Sequence, residues 1–578
     1  MLDRLKAKFG KAKAKEGEIT LSPNLALTMK EDDLTTIGSI CIEEYKKDYQ
    51  SYEPYRKRAK KWMQLFSSEL DPKTKPWPNC SNTNVPLLPT ACIQFQARAY
   101  DALIPEVEIA KILVLDKAKK DVGERRQKYL NCQLEYKMPN WKTEQDAMLL
   151  QLAIFGAQYK KINYDHTLQQ VRSSLLGVGE LVIPYGTTLE KSPRKSHAYI
   201  MTTETAQTYM DKKIFRKTEV DEQSATSRGS EIDEAKQQAT STQDNQDNKL
   251  FLNLVEQVRY IEVAGKVKEY VVLTDYNTER VLSIQENLAI NTVNGMSAPA
   301  VQYVEYVLIP NFSGTGGFGF GHLLERLNES ANAMLNQITD AGTLANLQGG
   351  FINKRSGVKK GDLTLKMGEF KEVDAASDDI RKALYFFDFK GPSSVLSKVL
   401  NDLIDFSRQV TSVSDSMMGE LPSADTTATT MMSTVEQGLK VFNSIHKRVH
   451  GAFTKELQAI EALNAVYVDD ALYEAIQDST TLAEDFISGS DDYTVPVLDI
   501  RPVSDPRITS QAEMMSKAQR AYEFGLTNPL IANNPEAVLV LTNNMLKVMD
   551  AHEVALIIAN QGEVATLPPV EEGGEVLG

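Results

Sequence analysis

GFGFGHLLERLNESANAMLNQITDAGTLANLQGGF, residues Gly317–Phe351, is the stretch from which the rest of the chain can be read. From Phe318 to Val468, two helix patterns flank a glycine-rich, strand-like insert, and a polar loop then leads into a long helix. In the first pattern Leu324, Leu327, Ala331, Met334, Ile338 and Ala341 recur at alternating spacings of three and four. That is a narrow apolar stripe of the kind that suits a helix–helix seam. The second pattern runs from Val395 to Val410. Leu396, Leu400, Leu403 and Val410 form its apolar side, with Lys398, Asn401, Asp402, Asp405 and Arg408 elsewhere. Pro392 and then Ser393 or Ser394 supply its start signal. The long pattern carries Met432, Val435, Leu439, Phe442, Val449, Phe453, Ile460 and Leu463. Between the second and third patterns SVSDSMMGELPSADTTATT, Ser412–Thr430, predicts a loop. A loop of that length between two helices is functional or disordered.

With 578 residues the chain exceeds one hydrophobic core, so roughly two to four folding units are expected. Its 42% apolar and 25% charged residues are those of an ordinary soluble globular protein. No apolar run approaches the roughly 18 residues that span a bilayer. MLDRLKAKFGKAKAKEGE at the N-terminus is basic but has no apolar core, which excludes a secretory signal; a basic arm fits better than an amphipathic targeting peptide. The net charge of −14 makes the surface as a whole repel nucleic acid, so any DNA contact must be local or weak. Cys41, Cys80, Cys92 and Cys132 lack CxxC spacing, and reduced cytosolic thiols are expected.

Along the chain, Asp32–Leu70 reads as helix broken at Pro54. Asp71–Leu88 is a proline- and asparagine-rich loop, and a helix resumes with Pro89 at its first position. Ile104–Leu115 is strand-like, Asp116–Lys137 an exposed helix, Lys142–Ala157 a helix and Gln158–Tyr164 a strand. Short strands follow at Leu175–Gly186 and Ala198–Met201. Ala206–Lys249 is a polar excursion whose second half cannot build a core. Leu250–Val263, Glu269–Gln285 and Val301–Ile309 alternate as half-buried antiparallel strands do. Beyond the central helices, Ser510–Phe524 and Pro535–Ala559 read as helices and Gln561–Gly578 as an acidic, disordered tail. The fold class is therefore α+β, mainly helical.

Few signals for chemistry stand out. Gly314-Thr-Gly316-Gly-Phe-Gly319 is a literal GxGxxG between a strand and a helix, the setting of a dinucleotide fingerprint. Against that reading, Pro310–Ser313 separates strand from glycines, no acidic strand end follows, and the preceding strands alternate in polarity. A flexible hinge into the helix is the better expectation. His446 and His450 share a helix face, but no HExxH-type carboxylate accompanies them. Neither a Walker-A sequence nor a GxSxG elbow is present, so no enzyme activity, cofactor or metal is expected. Lys354, Arg355, Lys359, Lys360, Lys366 and Lys371 form a basic island on an acidic chain, suited to phosphates or an acidic partner, or to a solvated hairpin surface. The Met417–Thr430 loop is suited to non-specific polymer contact, or to being an ordinary connection.

The order of parts resembles the portal, or head-to-tail connector, proteins of tailed double-stranded DNA bacteriophages, particularly the short-tailed type. PWPNCSNTNVPLLPTACIQFQARAY, Pro76–Tyr100, is similar to a segment that precedes a helix in that family. Gly317–Phe351 is similar to its first stem helix, and Pro392–Leu463 to its second stem helix, tunnel loop and long wing helix. The resemblance spans residues 30–560 and is specific in sum rather than in any one motif. It implies an arm (1–29), a wing (30–317, with the excursion 206–249), a first stem helix (318–347) and a clip (348–391). A second stem helix (392–411), tunnel loop (412–430), long wing helix and return (431–504), short crown (505–560) and tail (561–578) complete it.

What the resemblance implies is a dodecameric ring at one capsid vertex, assembled in the host cytoplasm. Double-stranded DNA would pass through it, packaged by the large terminase and later ejected. Tail adaptor proteins and the major capsid and scaffolding proteins would be further partners, with no membrane. Met417, Met418, Glu420, Ser423, Thr426 and Thr427 would face DNA from the tunnel loop, and Lys398 and Arg408 from the stem. The basic clip residues would meet terminase or adaptor. Another virion ring, such as a tail adaptor or nozzle, is the nearest alternative; a dinucleotide-dependent enzyme using Gly314–Gly321 is a more distant one.

Overall fold

The computed structural model describes residues 19–528 apart from 22, 70–72, 74–76, 78–79, 106–107, 115–118, 219–230, 241–250, 264, 313, 347–349, 353–383, 387–390, 412–427, 478–487 and 505–510, together with 538, 541–542 and 545. Of 19–21, 231–235, 263, 350–352, 384–386, 428–442, 498 and 511–517 it describes the backbone alone. Among the described residues about 54% are helical and 22% are strand, an α+β composition. The chain divides into two compact units, 1–506 and 507–578.

The first unit opens with β1 (Ile19–Leu21), α1 (Glu31–Ser51), α2 (Glu53–Ser67), α3 (Leu87–Leu103), β2 (Ala110–Val114), α4 (Lys120–Cys132) and α5 (Trp141–Phe155). Then come β3 (Ala157–Asp165), β4 (Gln170–Leu175), β5 (Leu181–Val182), β6 (Arg194–Thr202), α6 (Thr203–Asp211) and α7 (Glu231–Thr240). A run of strands follows: β7 (Phe251–Val263), β8 (Lys266–Asp275), β9 (Val281–Glu286), β10 (Ala289–Asn291), β11 (Ser297–Ala298), β12 (Val301–Val307), β13 (Ile309–Pro310) and β14 (Gly317–Phe318). After them lie α8 (Phe320–Asn346), β15 (Gly350–Ile352), β16 (Leu384–Phe386), α9 (Ser394–Thr411) and α10 (Ala428–Tyr467). The short α11 (Asp470–Ile476) and α12 (Gly489–Asp492) and β17 (Val497–Pro502) close the unit; the second unit contains α13 (Gln511–Thr527).

The largest sheet is antiparallel, in the order β5-β6-β7-β8-β9. Glu269–Gln285 is two strands rather than one, because residues 276–280 turn the chain back and Glu279 takes a positive φ there. Helix α1 covers one face: Leu34 and Cys41 pack with Val272, Val281 and Ile284, and Ile42 and Tyr45 with Val182, Ala198 and Val255. Ala206 and Met210 of α6 pack with Leu252, Leu254, Leu273 and Leu282. A second sheet, β12-β3-β4, packs against α10.

Two helix boundaries differ from the sequence reading for local reasons. Helix α3 starts at Leu87, two residues before Pro89, with Pro86 at its cap. Pro89 still falls in the first turn, where a missing N–H costs nothing. Helix α4 is not an exposed surface helix: Arg126, Tyr129 and Leu130 are buried, and it runs into a π-helical turn at Gln133–Lys137.

Candidate functional site

Helices α8 and α9 pack on each other, and the paired strands β15 and β16 join their far ends, Phe351 opposite Tyr385. The base of this helix pair is fixed in three ways, each traceable to particular residues.

The first is the glycine segment. Gly314 and Gly316 take φ of +93° and +85°, a region that residues with a Cβ avoid. Gly319 lies so close to the end of α5 that a Cβ there would stand 2.5 Å from the Ile154 carbonyl oxygen. The expected flexible hinge is therefore a tight hairpin, β13 with β14, wedged against the body. Its amides are taken: Gly314 N–H donates to Asn311 Oδ1 (3.1 Å), Gly316 N–H to Glu305 Oε1 (2.7 Å) and Gly319 N–H to His322 Nδ1 (3.1 Å). A phosphate cradle needs such amides free and no carboxylate beside them.

The second is Glu325, buried in the second turn of α8. Its Oε2 accepts from Arg58 Nε (3.0 Å) and Nη2 (2.9 Å) and from Trp62 Nε1 (2.9 Å). Burial alone would raise this carboxyl's pKa, but the Trp62 and Arg58 hydrogen bonds and the Arg58 charge hold it below its ordinary value. Next to it, the His322 ring stands 4.2 Å from Trp62, and burial, with help from Arg58, lowers its pKa to about 4. The neutral ring is the form whose Nδ1 can accept from Gly319.

The third is a ladder of side-chain oxygens, three amide and one carboxylate, that the apolar stripe concealed. Asn328, Asn332, Asn336 and Asp340 recur every fourth residue on α8, facing the extended segment before α3. Asp340 accepts from Ser81 N (2.7 Å), Asn336 from Thr83 N (2.7 Å), Asn332 from Val85 N (2.7 Å) and Asn328 from Leu88 N (3.3 Å). Four helical residues advance about 6.0 Å and two extended residues about 6.6 Å, so the repeats stay in step for three rungs. Asn84 cross-links the ladder, accepting from Asn328 Nδ2 (3.0 Å) and Asn332 Nδ2 (2.8 Å) and donating to the Leu65 carbonyl (2.8 Å). Of the expected apolar seam only Leu324 and Ala331 are fully buried; Leu327, Met334, Ile338 and Ala341 are half-buried. The spacing of Asn328, Asn332 and Asn336 was the available signal, and reading only apolar residues missed it.

Away from the base the cover thins. Every residue from Gln337 to Asn346 and from Gly391 to Phe406 is exposed or half-buried. Val395 is 68% and Phe406 52% exposed on α9. Lys398 is exposed on α9. Arg408 is half-buried, lies 3.8 Å from Asp405 and lines a cavity of about 230 Å³ with Val85, Leu87, Leu324 and Ile404. Met417, Met418, Glu420, Ser423, Thr426 and Thr427, and Lys354, Arg355, Lys359, Lys360, Lys366 and Lys371, lie outside the described residues.

No protein-family model and no curated protein matches the chain. The reading of the site therefore rests on its geometry.

The inner half of α10 is anchored more deeply. Glu456 accepts from Trp141 Nε1 (2.8 Å), Lys160 Nζ (3.0 Å), Ser173 Oγ (2.7 Å), Gln145 Nε2 (2.9 Å) and the Tyr306 hydroxyl, all inside the protein. Burial would raise its pKa, and Lys160 with these donors brings it below the ordinary value. Glu461 pairs with Arg126 (3.0 Å) and Asn464 with Gln133, tying the same helix to α4. His446 and His450, on α10, have ring centroids 6.3 Å apart; His450 Nε2 lies 3.0 Å from the Ser504 carbonyl. Among the described residues no group of side chains is arranged to hold a metal ion.

Proposed function

We propose that the chain is a portal subunit of a tailed double-stranded DNA bacteriophage, one of twelve forming the ring at a capsid vertex. The observation that carries this reading is the α8–α9 pair, rigid at its base and half-covered beyond it. In the proposal α8 and α9 are the two stem helices, and the β15–β16 ladder is the root of the clip. The body before them is the wing, and α10 is the long wing helix.

Physical arguments support it. A helix pair whose apolar residues find incomplete cover within its own chain is stabilised by packing on copies of itself. A glycine hairpin, a hydrogen-bonded ladder and the buried Glu325 held by Arg58 and Trp62 anchor the root of the pair to the body. Twelve chains at −14 each carry −168 (12 × −14), which disfavours DNA sticking to the assembly as a whole. A conduit must not grip DNA, and strong lysine–phosphate contacts from every subunit would do so. The Thr-, Ser- and Met-rich stretch from Ser412 to Thr427 then makes the transient channel contacts; α10 begins at Ala428 rather than beyond the expected loop end at Thr430. The basic island at Lys354–Lys371 meets the terminase and, later, the tail adaptors.

Electron microscopy of the purified protein, with native mass spectrometry, tests the proposal. A wide-brimmed, twelve-fold turbine with a narrow stem is expected. A stable monomer at micromolar concentration would end it. Replacing Met417–Thr430 by a short Gly-Ser link separately tests the channel role of the loop, with reduced DNA packaging or retention as the expected result.

A further inference from the structure

A second concave feature lies beside the glycine hairpin and plays no part in the proposed conduit. A cavity of about 300 Å³ sits between the α1–α2 junction, the start of β3 and the hairpin. Tyr52, Tyr55, Tyr159, Tyr185, Phe318 and His322 supply its aromatic wall. Tyr185 is 77% exposed, so the cavity reaches solvent at that ring. Behind the wall stands Glu305, directly across the strand pair from Tyr159. Its Oε1 accepts from Tyr159 Oη (3.1 Å) and Gly316 N (2.7 Å), both neutral donors from residues that line the cavity. Burial raises the Glu305 carboxyl above its ordinary range; the cation acting on it, Lys455, is already bound to Glu190 at 2.6 Å. The other cation at the cavity, Arg56, lies over the Tyr49 ring at 3.6 Å.

Several aromatic rings around one small space, with the Glu305 carboxylate behind them, form an environment that favours an organic cation. Ring quadrupoles attract ammonium groups, and the attraction grows as water is excluded. The apolar lining, which includes Val178, Leu181 and Ile183, accommodates an alkyl stem. We propose that this cavity receives an alkylammonium group, either a free organic amine or the side chain of a lysine on another polypeptide. The proposal is independent of the ring reading: it holds or fails on the cavity alone.

The test is titration of the full-length protein with n-butylammonium, with n-butanol as the uncharged control, followed by calorimetry and by sedimentation. The expected result is saturable binding of one butylammonium per chain and no matching isotherm with butanol. Glu305→Gln keeps the oxygen that accepts from Tyr159 and Gly316, so it leaves the fold in place while removing the charge. It and Tyr185→Ala should each weaken binding roughly tenfold. If another chain's lysine already fills the cavity, butylammonium instead dissociates that contact in sedimentation while butanol does not, and Glu305→Gln weakens the same association. Equal binding of butanol and butylammonium, an unchanged Glu305→Gln isotherm, or neither binding nor dissociation would each overturn the proposal.

Discussion

The inner half of α10 and the α8–α9 pair both carry an apolar stripe, but only the first is covered along its length. Val449, Phe453, Ile460 and Leu463 of α10 are buried, and Glu456 beside them gathers five donors. On α9, Val395 and Phe406 stand in solvent, and its two fully buried residues are Ser407 and Thr411. The contrast is between a stripe enclosed by its own chain and one that stays partly in water. An element finished within the chain can bury charge, because every partner is at hand. The α8–α9 pair, whose outer part meets water, keeps its buried polar anchors at the base.

The sharpest way to break this contrast is to attack α10. Glu456→Ala leaves Lys160, wholly enclosed, without its counter-charge. The expected loss is roughly 3–5 kcal/mol in urea unfolding, enough to threaten folding outright. A loss within experimental error would mean the hub is ornamental.

A smaller effect is expected at the ladder. Asn336 Oδ1 accepts from Thr83 N, Thr83 Oγ1 and Ser81 Oγ, so Asn336→Leu strands several donors at once. About 1–3 kcal/mol should be lost, with faster amide exchange confined to residues 81–88. Uniform exchange across α8 instead would show that the ladder does not hold that segment.

The base also has a pH signature. His322 has a folded pKa of about 4, below its unfolded value of about 6.5. Between those values the unfolded chain binds the extra proton, so stability rises with pH. Its contribution is complete above pH 6.5 and is lost as the pH falls toward 4. Wild type should therefore show a steeper pH slope of stability in that window than His322→Gln; identical slopes would refute the neutral-ring arrangement with Gly319.

The least effect on the chain itself belongs to Val395→Ser with Phe406→Ser. Since both side chains already meet water, unfolding should shift by no more than about 0.5 kcal/mol. Assembly, followed by sedimentation, should nevertheless fail. Stable rings from this double variant would place the subunit contact elsewhere.

Much of the architecture was legible without coordinates. Periodicity located α8, α9 and α10, because a helix bound for burial on one side must repeat its apolar residues every three or four positions. Alternation likewise marked β7 and β12. The hairpin at residues 276–280 was overlooked, although the polar run Thr274–Arg280, with Asp275 and Asn277, interrupts the alternation of Glu269–Gln285. The candidate site was read only in part. Lys398 and Arg408 are both polar on the same helix, yet one is exposed and the other lines a cavity under α3, a difference that depends on where α3 packs.

The amino-acid order by itself determined which segments become helix or strand, and that the chain is acidic. Those properties follow from spacing and composition, which are local. Only the tertiary structure decided that Asn328, Asn332 and Asn336 bind a segment some 250 residues earlier, that Lys160 and Glu456 share one enclosure, and that Gly314–Gly319 is a wedge. A hydrogen bond or a buried charge pair depends on two partners meeting in space, and no pattern along one strand of sequence records the second partner's position.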